Sequence, residues 1–231
     1  MNRAIAGPQQ GGARPPGGEA QPPGGDARRP GGRFARPLPA GRGHLAALSA
    51  PLAALGEEAP RLDRWGAQLA DVLCGGGRLL AVGNGGSASQ AQHLTAELVG
   101  RYRDDRPPFS AFALCSEGPA LTAIGNDYGI DQVFARQVLG HGRAGDLLVA
   151  LSTSGRSPNI LAAVEAAGSL GMTTWALTGA PGNPLAERSD DALCVDTPHT
   201  ATVQEIHLIA IHMLCAAFDV ALERPAMAAV R

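Results

Sequence analysis

The stretch "LLAVGNGGSASQAQHLTAELVGRY" runs from Leu79 to Tyr102. It opens with a short, unbroken apolar run, the mark of a strand buried on both faces. It breaks at "GNGGSAS", where glycine lets the chain turn tightly. It then resumes with Ala91, Leu94, Leu98 and Val99 at helical spacing. Strand, turn and helix in that order make the first half of a β-α-β unit. The same helix carries His93 and Glu97, four residues apart and therefore one turn apart on one face. With the helix half buried by its apolar residues, that pair is expected to line a cleft.

The unit recurs. "RLLAVG" ahead of the turn is followed by "SAFALC" (110–115), "DLLVALS" (146–152), "TTWALTG" (173–179) and "DALCVDT" (191–197), each a short strand. Helical patterns separate them at 88–102, 118–125, 130–140, 157–170 and near 184–188, and a last helix runs over about 201–223. Two further helices, 44–55 and 57–74, precede the first strand. The second of these shows Leu62, Trp65, Leu69, Val72 and Leu73 at helical spacing and stops at the "GGG" of 75–77. Strands alternating with helices argue a parallel sheet covered on both faces. Right-handed crossovers make it a three-layer, doubly wound, five-stranded α/β fold of the flavodoxin-like kind.

Composition sets the boundaries. Of 231 residues, the first 43 hold 11 Gly and 8 Pro and a single aromatic, Phe34. Such a segment cannot bury enough apolar surface to offset its ordering entropy, so 1–43 is expected to be a disordered tail and 44–231 one domain. The tail has no continuous apolar core of a secretory signal. It balances seven Arg against Glu19 and Asp26, a charge of +5, which leaves −7 for residues 44–231. That acidity excludes an evident nucleic-acid footprint. No apolar run reaches the ~18 residues of a membrane span. Cys74, Cys115, Cys194 and Cys215 form no CxxC pair, and three of them sit in apolar runs. Buried, reduced thiols in a cytoplasmic protein are the expectation.

In doubly wound sheets ligands bind outside the carboxyl ends of the strands. "GNGGSAS" follows the first strand and "STSGRSP" the third. Both combine glycine with hydroxyl side chains and run into a helix, whose free amides and dipole favour an anion. They suit a phosphate ester. Neither matches the GxxxxGK[ST] or GxGxxG nucleotide patterns. The plainer alternative is that Ser87 and Ser157 simply cap the two helices. Past the second strand, Asn126 and Asp127 in "GNDYG" fit a turn as readily as a ligand contact. The last helix offers Gln204, Glu205, His207 and His212. At about 100° per residue, His207 falls to one side of Gln204 and His212 to the other, so spacing leaves the two histidines undecided.

Four segments, "GNGGSASQAQHLTAEL", "LTAIGNDYGIDQVFARQV", "GDLLVALSTSGRSPNILAAVEAAGSLGMT" and "VQEIHLIAIHML", resemble the sugar isomerase (SIS) domain family, and most of all its phosphoheptose isomerase branch. The resemblance spans roughly 45–223. It implies a homotetramer with active sites between subunits and a zinc ion held by His93, Glu97, Gln204 and His212. It therefore selects His212 over His207. It further implies sugar contacts from Asn84, Gly85, Gly86, Asn126 and Asp127, and from Glu97 and Gln204. A phosphate loop of Ser152, Thr153, Ser154 and Ser157 follows, with Ser87 beside it. The implied reaction converts sedoheptulose 7-phosphate to D-glycero-D-manno-heptose 7-phosphate through an enediol. Glu97 is the expected base and His212 the expected acid, in line with the usual chemistry of a carboxylate and an imidazole.

Two features depart from the family pattern. The Gly-Pro-Arg tail lies outside it, and Thr202 stands where an arginine is expected in "ARIQE". Non-catalytic SIS tetramers that bind a replication-initiator protein are the alternative class. They lack the carboxylate of the HxxxE pair and the second histidine of the last helix, both present here. SIS sugar-phosphate sensors carry a DNA-binding domain, for which this chain shows no helix-turn-helix region.

Overall fold

The computed structural model describes residues 41–228. The tail expected over 1–43 lies outside the described residues as far as residue 40. Helix α1 (Arg42–Glu57) and helix α2 (Ala59–Cys74) come first. Then follow β1 (Leu79–Gly83), α3 (Gly86–Val99), β2 (Ala111–Ala113), α4 (Gly118–Tyr128) and α5 (Ala135–His141). The chain continues through β3 (Leu147–Ser152), α6 (Pro158–Ser169), β4 (Thr173–Thr178), α7 (Pro184–Arg188), β5 (Asp191–Cys194) and α8 (Thr200–Ala228).

The five strands are parallel in the order β2-β1-β3-β4-β5. The chain steps from β1 to one side and later fills the other side from β3 outward. The order therefore reverses between β1 and β3, and right-handed crossovers send α3 to one face and α5 to α7 to the other. The unbroken apolar runs divide by the two-residue period of a strand. Leu79, Ala81, Leu147, Val149, Leu151, Trp175 and Leu177 face α1, α2, α3 and α8. Leu80, Val82, Leu148, Ala150 and Ala176 face α5, α6 and α7. This is why the strands show no polar alternation in the sequence.

Helices α2 and α8 pack closely because Gly66 has no side chain. A Cβ there would lie 2.6 Å from Ala217. Trp65 on α2 stacks on Trp175 of β4, ring centroids 4.6 Å apart and nearly coplanar at 6°. Its indole N–H donates to Asp191 Oδ2 at 2.7 Å, which satisfies the one polar atom of a buried tryptophan. Helix α8 is long and apolar enough to cross a membrane by composition, with a mean hydropathy of 1.7 in its richest window. Its Val203, Ile206, Ala210, Ile211, Leu214 and Phe218 are instead committed to the core, each large apolar side chain worth about 1.5–3 kcal/mol on burial.

Two helix boundaries and the burial of the cysteines differ from the sequence reading. The helix expected at 118–125 continues to Tyr128 and stops at Gly129 (φ 88°), so Asn126 and Asp127 occupy its last turn and not a loop. The helix expected at 130–140 divides into a short 3-10 turn at Ile130–Gln132 and α5. All four cysteines are free, but only Cys215 is buried; Cys74 is exposed and the other two are half-buried. Burial pushes the Cys215 thiol up to about 12, so it is inert as a nucleophile.

Candidate active site

The turn after β1 is built on close backbone approach. A Cβ at Gly83 would lie 2.5 Å from the backbone of Ser87, and Gly85 takes a φ of +55°. Asn84 projects from this turn and exchanges two 2.9 Å hydrogen bonds with Asn159 at the start of α6. That amide pair links the turns after β1 and β3, the neighbouring strands at the switch point. Sequence reasoning missed Asn159; its signal was its place immediately past "STSGRSP".

Beyond β3, three hydroxyls gather. Ser152 Oγ lies 3.5 Å from Ser154 Oγ and 3.3 Å from Ser157 Oγ, and Ser154 Oγ accepts from the Arg156 amide at 3.2 Å. Thr153 stands between them, half-buried. Gly155 has a φ of +61°, and a Cβ there would lie 1.9 Å from Asn183 Oδ1. Neither Ser87 nor Ser157 caps its helix. Helix α3 has Gly85 at its N-cap and no side-chain cap bond, and α6 has Ser157 there without one. The side-chain capping explanation therefore fails. The Ser87 and Ala88 amides close on Asn84 O and the Ile160 amide on Ser157 O, and Pro158 has no N–H, which leaves the Gly86 and Asn159 amides to face an anion among the described residues.

A second constellation forms where α3 lies beside α8. The Nε2 atoms of His93 and His212 are 2.9 Å apart, and Glu97 Oε1 is 3.4 Å from His93 Nε2. One ligand atom from each of the three residues falls within 4.8 Å of the others, so the group can hold a metal ion. All three are half-buried. Glu97 Oε2 is a buried oxygen with no hydrogen-bond partner among the described residues. Tyr102 stacks on the His212 ring, centroids 5.6 Å apart. Sequence reasoning missed Tyr102 as well.

His207 goes elsewhere. It is fully buried, and its Nε2–H donates to the Thr178 carbonyl at 3.1 Å. Burial lowers its pKa to about 4, partly opposed by that hydrogen bond. It is a neutral core histidine that fastens α8 to β4. Thr202 is also fully buried, its hydroxyl without a partner among the described residues. It faces inward, where it fills the site expected for an arginine.

The structure does not bring every expected residue together within one chain. Gln204 packs against Gly86, with its Nε2 only 2.5 Å from where a Gly86 Cβ would be. It also lies two turns, about 12 Å along the helix axis, ahead of His212. It stands at the Gly-Ser turn and not with His93, Glu97 and His212. Asn126 Nδ2 donates to Asp127 Oδ1 at 2.8 Å, and both side chains are exposed on α4. His93 itself is two turns along α3 from Gly86, about 10 Å. The hydroxyl turns and the His-Glu-His group, two half-sites, thus stand about two turns of α3 apart, about 10 Å along its axis.

Ligand turns of this kind at the switch point define a ligand-binding α/β domain. A family model described as "SIS domain" matches residues 44–179, and the chain belongs to the SIS domain family. It is similar, at 64% identity over 182 residues and 79% of each chain, to the phosphoheptose isomerase of Streptomyces coelicolor. Similarity to the phosphoheptose isomerase of a Bradyrhizobium species is 48% over 182 residues, covering 78% of this chain and 92% of that one. Among solved structures, the phosphoheptose isomerase from Neisseria gonorrhoeae matches with a TM-score of 0.72 and 40% identity, over 78% of this chain and 96% of that one.

Proposed function

We propose that this protein is a sugar-phosphate isomerase that converts sedoheptulose 7-phosphate to D-glycero-D-manno-heptose 7-phosphate. The observation that carries the reading is the meeting of Glu97 with the imidazoles of His93 and His212, in a chain 64% identical to a phosphoheptose isomerase.

The residues account for each proton. The Glu97 carboxylate removes a proton from C1 of the ketose while the Nδ1–H of His212, whose Nε2 stays free for a metal, delivers one to the C2 oxygen, which yields the enediol. Glu97 then returns its proton to C2. His212 recovers one from the C1 hydroxyl, which becomes the aldehyde, so both groups end as they began. The hydroxyls of Ser152, Thr153, Ser154 and Ser157, with Ser87 and the Gly86 and Asn159 amides, hold the phosphate without adding charge. Asn84, Gly85, Gly86 and Gln204 contact the sugar. Zinc suits the donors His93, Glu97 and His212 and, when bound, would polarise the carbonyl and stabilise the enediolate. The two Glu97 oxygens differ in surroundings: Oε1 faces His93, and Oε2 is buried and unbonded among the described residues. One can serve as a ligand while the other takes the proton.

The resemblance to phosphoheptose isomerases supports a homotetramer, in the cytoplasm, in which the hydroxyl turns of one subunit meet the His-Glu-His group of another. Purified protein given sedoheptulose 7-phosphate, with and without zinc, tests the activity. Absence of turnover in both conditions would sink it. Glu97→Gln and His212→Gln test the roles, and unchanged rates in both variants would sink the assignment.

A further inference from the structure

We propose that Arg106 is a positioning residue that holds Glu97 opposite His212; the inference rests on the isomerase reading of that group. Glu97 sits in the last turn of α3. The helix ends at Val99, and the Gly100 amide closes on Ala96 O at 2.8 Å. The carbonyls of Glu97 and Leu98 therefore have no following helical amide to accept from. The Phe109 amide reaches Leu98 O at 3.1 Å, and Arg106, in the connector to β2, supplies the donor that Glu97 O lacks and a second one to Leu98 O. Its Nη2 donates to Glu97 O at 2.6 Å and its Nη1 to Leu98 O at 3.0 Å. A cation at that end also complements the helix dipole, and the last turn of α3 has no basic residue of its own.

The same guanidinium reaches α8. Its Nε donates to Asp219 Oδ1 at 2.8 Å. Asp219 follows His212 by seven residues, two turns on nearly the same face. The guanidinium also lies 5.5 Å and 5.2 Å from the ring centroids of Phe109 and Phe218, which pack edge to face. The Arg106 side chain is 8% exposed. One buried cation thus joins the end of the helix that bears Glu97 to the helix that bears His212. The connector it anchors also carries Tyr102, which stacks on His212. Lysine cannot replace it, because a single ammonium lacks the planar fork that serves two carbonyls and a carboxylate at once.

Arg106→Lys tests this. Folding is checked by circular dichroism, zinc affinity by competition with a chromophoric chelator, and α3 by amide hydrogen exchange. The expected result is a folded protein that binds zinc about 10- to 100-fold more weakly, the usual size for loss of a group that orients a ligand. Exchange should quicken over residues 94–100. With sedoheptulose 7-phosphate, kcat should fall while KM is unchanged, since the hydroxyl turns are untouched. A folded Arg106→Lys with wild-type zinc affinity overturns the proposal. Should that variant fail to fold, Asp219→Asn, which keeps an acceptor oxygen but not the charge, takes the same measurements under the same criteria. Wild-type protein that binds no zinc defeats the metal reading instead. The exchange data then decide, and unchanged protection of 94–100 overturns the positioning.

Discussion

His93 Nε2 and His212 Nε2 lie 2.9 Å apart across 119 residues of sequence. Helices α3 and α8 run side by side to bring them there, with Glu97 Oε1 3.4 Å from the same His93 nitrogen. Two imidazoles this close must divide the roles, one nitrogen donating and the other accepting. A bound cation would instead use both lone pairs. Chelation is therefore expected to remove activity, and added zinc to restore it. His93→Ala should weaken zinc by at least tenfold in chelator competition. Full activity after exhaustive chelation would exclude the metal from the reaction.

Subunit mixing tests whether the two halves of each active site come from different chains. Glu97→Gln chains and Ser152→Ala/Ser154→Ala chains are each expected to lose about 10²-fold or more in kcat/KM, the scale of a lost general base or of lost phosphate binding. Mixed under conditions that exchange subunits, they should regain part of the activity, because some sites then combine an intact group with an intact turn. No recovery in verified hetero-oligomers would place both half-sites of each active site on one chain.

Gly155→Ala should damage the hydroxyl turn. The residue has a φ of +61°, and the new methyl would lie 1.9 Å from Asn183 Oδ1, the atom that caps α7 by accepting from the Ala186 amide at 3.1 Å. Strain of this kind costs about 1–3 kcal/mol, and a lost cap about 1 kcal/mol more. Urea unfolding should show the loss and steady-state kinetics a raised KM. Wild-type stability would show that the turn can rearrange freely.

His207 makes stability depend on pH. Its pKa falls from 6.5 in the unfolded chain to about 4 in the core. The unfolded state then binds more protons between those values, so its contribution is complete above pH 6.5 and is lost as pH falls toward 4. By pH 5 the loss is about 2 kcal/mol. His207→Gln, which can still donate to Thr178 O, should flatten that part of the curve in urea titrations at pH 7 and pH 5. An unchanged slope would mean that other groups carry the acid sensitivity.

Much of the fold was legible because each strand is an unbroken apolar run ending in a turn, and each helix repeats at its own period. The strand count, the parallel sheet and the two ligand turns all follow from such local patterns. The ends of α4 and α5 were less legible, since α4 contains no fully buried residue and its apolar period is weak. The site was legible only in part. Spacing placed His93 and Glu97 on one face, but it gave no reason to prefer His212 over His207, and the motif resemblance supplied that choice.

The sequence by itself determined the alternation of strands and helices, the glycines that permit close turns, and the hydroxyls set after the first and third strands. These depend on backbone sterics and on neighbours a few residues away. Tertiary structure alone decided that His207 is a core residue and His212 meets His93. It also decided that Gln204 belongs beside Gly86, that Asn84 pairs with Asn159, and that Arg106 closes the end of α3. The placing of His207, His212 and Gln204 depends on the packing of α8 against α3 and the sheet, while the amide pair depends on β1 lying beside β3 and the Arg106 contact on the course of the connector after α3. Contacts between helices more than a hundred residues apart leave no periodicity to read.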